Sequence, residues 1–208
     1  MEIRLENLEP GYHYHIFNRG INGCKVFEND DNRIFFLQKV KAYVMQVAEV
    51  YAYCLMPNHF HFILRIKDDI DGNNFAKVQG NNFAKVQNFG KVETGLHAEK
   101  SIPSKQIGKL ISSYTQAFNK YHHRHGPLFE RPFKRKRIET EEYLIKSIIY
   151  VHRNVLDLGR SMNDYDFSSY KALVSGKPSA IEKENVLELF DGIAHFRSMH
   201  QRDNDYEF

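Results

Sequence analysis

Tryptophan is absent from the 208 residues, and cysteine occurs only as Cys24 and Cys54, outside any CxxC pair. Two thiols in a chain this long make no disulfide framework. No apolar run approaches the roughly 20 residues that cross a bilayer. The opening MEIRLENLEP is charged and has no apolar signal region. The expected location is cytoplasmic, with no membrane partner. What is present is a globular composition, 42% hydrophobic and 26% charged, sized for one domain with appended elements or two small domains.

Charge is distributed unevenly. The net charge is only +3, but Lys105, Lys109, Lys120, Arg124, Arg131, Lys134, Arg135, Lys136 and Arg137 face a single acid, Glu130, between positions 105 and 137. The tail reverses this with Glu182, Glu184, Glu188, Asp191, Asp203, Asp205 and Glu207. A basic middle and an acidic end suit either a bound polyanion or a solvated cationic face.

Periodicity gives the element order. Tyr12 to Asn18 alternates and reads as a strand, closed by Asn18-Arg19-Gly20. Asp30 or Asp31 offers an N-cap for a helix through Phe36, Val40 and Val47. Val50 to Met56 and His59 to Lys67 form a hairpin across Pro57-Asn58. Helical spacing resumes from Lys105 to His123. A basic strand (133–138), a helix capped by Thr140 (141–153) and a short helix (182–190) follow. Strand, helix, strand, strand, helix, strand, helix predicts a ferredoxin-like α+β sheet with helices on one face and a C-terminal helical extension. GNNFAKVQ stands at 72–79 and again at 80–87, a tandem duplication in an expected linker. The expected organisation is therefore 1–67 and 104–175 as two parts of one catalytic domain, 68–103 as a repeat-containing linker, and 176–208 as an acidic extension.

The chemistry-bearing residues begin with His59-Phe60-His61. On a strand, i and i+2 share a face, so both imidazoles project together as half a metal site, or as two plain strand histidines. Tyr114, in SSYTQAFNKY, is a candidate nucleophile, with Tyr121 as its rival. Asn119 and Gln116 on the same helix are candidates for a further metal ligand, Asn119 being favoured. His152 reads either as a ligand or as a hydrogen-bonded helix residue. Arg19, Arg65, Lys134, Arg135, Lys136 and Arg137 are candidate phosphate contacts. Tyr12, Tyr14 and Phe17 could stack bases or pack the core.

Taken in order, YCLMPNHFHFIL, HIFNRG, SYTQAFNKYHHRHGPLFERPFKRK, YLIKSIIYVHRN and the SSY at 168–170 resemble the IS200-like, single-tyrosine (HUH-type) transposases. The resemblance includes the relatives associated with repetitive extragenic palindromes. It implies His59 and His61 as ligands of Mg²⁺ or Mn²⁺ and Tyr114 as the nucleophile. It also implies single-stranded, hairpin-forming DNA as substrate, a covalent 5′-phosphotyrosine, a freed 3′ hydroxyl and possible homodimers. Val155 stands where relatives often have proline. The competing expectation is a regulator on the same fold that binds nucleic acid without cutting it.

Overall fold

The computed structural model describes residues 7–70 and 102–202. Four strands form one antiparallel sheet: β1 (His13–Arg19), β2 (Ala48–Met56), β3 (His59–Ile66) and β4 (Lys134–Ile138), in the order β2-β3-β1-β4. Helix α1 (Asp30–Lys39) links β1 to β2, and α2 (Ile102–Tyr121) precedes β4. This is the ferredoxin-like α+β arrangement that the sequence predicts. The duplicated octapeptide lies outside the described residues.

The pleat decides what each face carries. Phe60 and Phe62 on β3, and Tyr14 and Ile16 on β1, point to the face covered by α1 and α2. Phe36 of α1 lies 5.1 Å from the Phe60 ring, and Phe129 packs 5.6 Å from Phe60 and 6.4 Å from Phe36. Removing each of these side chains from water contributes about 1.5–3 kcal/mol. Helix α1 is capped by Asn29, one residue before Asp30 and two before Asp31. Asn29 accepts from the Asn32 amide, and the two aspartates fill the first turn, where the helix dipole favours them.

The opposite face carries His13, His15, Phe17, His59, His61 and Arg65, alternating with the core set. It is only partly open. Helix α3 (Glu141–Arg153), capped by Thr140 through the Tyr143 amide, packs across β2 and β3 on that side. Behind it stand α4 (Tyr170–Val174), α5 (Lys183–Leu189) and α6 (Ile193–Gln201). Their second core joins Tyr170, Phe190 and Phe196 to His152 of α3. Helix α6 buries Phe196 and His200 one turn apart and packs them toward α3. The segment before α4 hydrogen-bonds to β2: Ser169 donates its amide to the Tyr53 carbonyl, and Leu55 donates to Phe167. Gly20 closes β1 where a β-carbon would stand 2.1 Å from the Cys24 carbonyl oxygen, so only glycine fits there. Its amide donates to the Asn58 carbonyl, which pins the end of β1 to the turn before His59.

Candidate active site

His59 and His61 project from β3 to the same side, with ring centroids 5.0 Å apart and planes at 88°. Each ring has one nitrogen occupied. His59 Nδ1 stands 2.7 Å from Asn58 Oδ1, and His61 Nδ1 stands 2.8 Å from His15 Nε2. An amide oxygen only accepts, so His59 carries its proton on Nδ1 and keeps a lone pair on Nε2. Burial lowers the His59 pKa, with Arg19 adding to this and Asn154 and Asp157 opposing it. Burial, then the neighbouring His15 and His59, holds His61 well below its ordinary value. Neutral imidazole is the form that ligates a metal.

The two candidate tyrosines part company here. Tyr114 lies on α2, on the opposite side of the sheet from His59 and His61. It is 1% exposed, its ring packs 5.0 Å from Phe36 and 5.6 Å from Phe27, and its hydroxyl donates to the Val26 carbonyl. Burial pushes its pKa further up. Tyr121 is 70% exposed at the end of the same helix. Asn119 also stays on that side, where its Nδ2 donates to the Gly126 carbonyl. The large groove between α2 and residues 126–133 contains Gln116 and Asn119 and no histidine. It is therefore remote from the paired imidazoles.

The tyrosine that the fold brings to the histidines is Tyr150 of α3. Its ring lies edge-on to His61 at 5.6 Å and to His15 at 6.0 Å. It is half-buried and opens on a shallow depression lined by Arg153, Asn154 and Asp157. One helical turn later, Asn154 Nδ2 donates to the Tyr150 carbonyl, leaving Oδ1 as the acceptor of that amide. Asn154 stands close enough to influence both Tyr150 and His59. Burial raises the Tyr150 pKa, Asn154 opposes this and Asp157 adds to it. Sequence reasoning places YVHRN in the pattern without assigning Tyr150 or Asn154. The available signal was their spacing, since i and i+4 share a helix face. His152, between them, faces the other way. It bonds to His200 and Ser169 in the second core, so it is a packing residue here.

The basic candidates divide by the same alternation. Lys134 and Lys136 are on the histidine face of β4, opposite Phe17 and His15. Arg135 and Arg137 point to the helix face. Arg135 donates to Ser104 Oγ, and Arg137 stacks 3.5 Å over Tyr12 and pairs with Glu9. Arg19 is exposed beside His59 and pairs with Glu130 at 2.5 Å, while Arg65 is held by Glu49 and Asp68. If this face holds phosphates, Lys134→Ala and Lys136→Ala should each flatten the salt dependence of single-strand binding by about one counterion. Arg135→Ala should leave that slope unchanged. Titrations at several salt concentrations check this, and equal slopes for all three variants would remove β4 from the interface.

Among the described residues, no group of three or more His, Cys, Asp or Glu side chains is placed to hold a metal ion. The donor set is therefore two imidazoles with an amide oxygen nearby. It fits a labile divalent ion completed by water and substrate oxygens, not a closed structural site.

No protein-family model and no curated protein matches the sequence. Among solved structures, the chain is similar to a REP-associated tyrosine transposase bound to a REP hairpin. The TM-score is 0.51 at 14% identity, over 86% of this chain and 88% of that one. At that identity the likeness establishes the shared fold. No helix among the described residues is long and apolar enough to cross a membrane.

Proposed function

We propose that this chain is a transposase-type enzyme that nicks and rejoins single-stranded DNA through a tyrosine, with Tyr150 as the nucleophile. The observation that carries the reading is the edge-on contact of Tyr150 with His61, which shares one face of the sheet with His59. The solved neighbour is a tyrosine transposase bound to a hairpin, which supports a hairpin-forming substrate.

In the proposed step the Tyr150 oxygen attacks a phosphorus of the DNA backbone. The tyrosine–phosphate bond forms, the bond to the 3′ oxygen breaks, and the phenolic proton passes to water. The leaving 3′ oxygen takes up a proton and stays as a free hydroxyl, and attack by another 3′ hydroxyl reverses the step. His59, His61 and Asn154 Oδ1 would hold Mn²⁺ or Mg²⁺, which when bound stabilises the charge that develops on the phosphoryl oxygens. Two imidazole ligands favour Mn²⁺. Lys134, Lys136 and Arg19 steer the backbone across this face, Arg19 by exchanging Glu130 for a phosphate.

The test is incubation with labelled single-stranded hairpins from the flanks of the gene, with Mn²⁺ or with EDTA. A covalent adduct on a denaturing gel is expected with Mn²⁺ and absent with EDTA. Tight hairpin binding without any adduct would instead favour a regulator that only binds.

A further inference from the structure

His15 is a buried polar residue that the proposed step does not use. It sits on β1 beside His61, 7% exposed, with its ring stacked on the His61 ring at 5.0 Å and 30°. Phe17 lies 4.7 Å from it and Tyr150 6.0 Å. An apolar side chain would suit such surroundings at no desolvation cost, so the imidazole calls for a reason. Its Nε2 stands 2.8 Å from His61 Nδ1.

A hydrogen bond between two neutral imidazoles can run in either direction. If His15 donates, the His61 proton sits on Nε2 and the ring has no lone pair for a metal. If His61 donates, its Nε2 is free to ligate. For His59 the same choice is settled by Asn58 Oδ1, which can only accept.

We propose that His15 is a positioning residue that accepts the Nδ1 proton of His61 and so turns the His61 Nε2 lone pair toward the metal. Ligating histidines commonly hand their second N–H to such an acceptor, which fixes both tautomer and ring orientation. His15 does this from the neighbouring strand and also touches the edge of Tyr150. One side chain thereby sets the His61 ring against the nucleophile. The inference rests on the reading of His59 and His61 as ligands.

The test compares the full-length wild type with His15→Leu and His15→Gln. Glutamine offers an oxygen that can accept, and leucine offers none. Mn²⁺ affinity is read by electron paramagnetic resonance of the free ion, and the His61 tautomer by long-range ¹H–¹⁵N correlation. Wild-type His61 is expected as the Nδ1–H tautomer. His15→Leu should weaken Mn²⁺ binding about tenfold or more and shift His61 toward Nε2–H, and His15→Gln should restore most of both. Wild-type His61 found as Nε2–H overturns the proposal, and so does unchanged affinity in His15→Leu. Should His15→Leu fail to fold, the wild-type tautomer and the glutamine variant still decide. If the wild type itself binds no Mn²⁺, the ligand reading falls, whereas wild-type binding with an indifferent His15→Leu removes only the role of His15.

Discussion

Tyr150→Phe should lower covalent adduct formation by a factor on the order of 10³ or more, the scale on which removing a nucleophile acts. Phenylalanine keeps the ring and its contacts with His61 and His15, so the fold and Mn²⁺ binding should persist. Tyr114→Phe should leave the adduct within about twofold of wild type, because its hydroxyl faces the Val26 carbonyl in the core and not the histidines. Its cost is expected in stability, about 1–3 kcal/mol for a buried carbonyl left without a donor. Adduct gels and urea unfolding on both variants separate the two effects. The reverse result, with adduct lost in Tyr114→Phe and kept in Tyr150→Phe, would mean that α2 leaves this core during the reaction, as exchange between protomers would require.

Stability should fall steeply between pH 6.5 and 5. Burial lowers the pKa of His15 to about 3 and of His200 to about 4, with Lys136 and Arg153 respectively adding to it. The unfolded chain titrates near 6.5, so it binds protons in this window that the folded protein refuses. Stability from these groups is complete above about pH 6.5 and is lost as pH falls toward the folded values. By linkage each should cost about 2 kcal/mol by pH 5, together a large part of a typical total of about 5–15 kcal/mol. His61 and His152 are shifted in the same direction. A carboxylate in a free peptide titrates mainly below this range, so the slope reports the histidines. Urea midpoints at pH 7.5, 6.5, 5.5 and 5 give the curve, and a flat line would show that the buried imidazoles accept protons without loosening the fold.

The paired histidines were legible because a strand has a strict period of two. Once β3 is recognised, His59 and His61 must share a face, and Phe60 and Phe62 must share the other. The same rule applied to Lys134 through Arg137 divides that run into two lysines on one face and two arginines on the other. The run reads as one patch only while its strand is treated as a string of charge. The tyrosine proposed as nucleophile was less legible. Both α2 and α3 are amphipathic and carry two tyrosines each, and local sequence does not say which side of a sheet a helix will cover. That is decided by the crossovers and by the second core around Phe196, which draws α3 onto the histidine face. His15 was readable in part. HYHIFN places His13 and His15 in the same alternation as the β3 pair, but the bond to His61 depends on β1 and β3 being neighbours in register.

The sheet has two outer strands, and they are protected differently. The Phe167–Ser169 segment hydrogen-bonds along β2. Strand β4 has no such cover among the described residues, and an uncovered strand is a template for adding another chain. Four consecutive cations stand there instead, two on each face, so a second β4 approaching in register would meet like charge at four of its five residues. The residues suited to gripping a polyanion are thus also gatekeepers against self-assembly. Only Lys134 and Lys136, on the histidine face, would serve both solubility and anion binding.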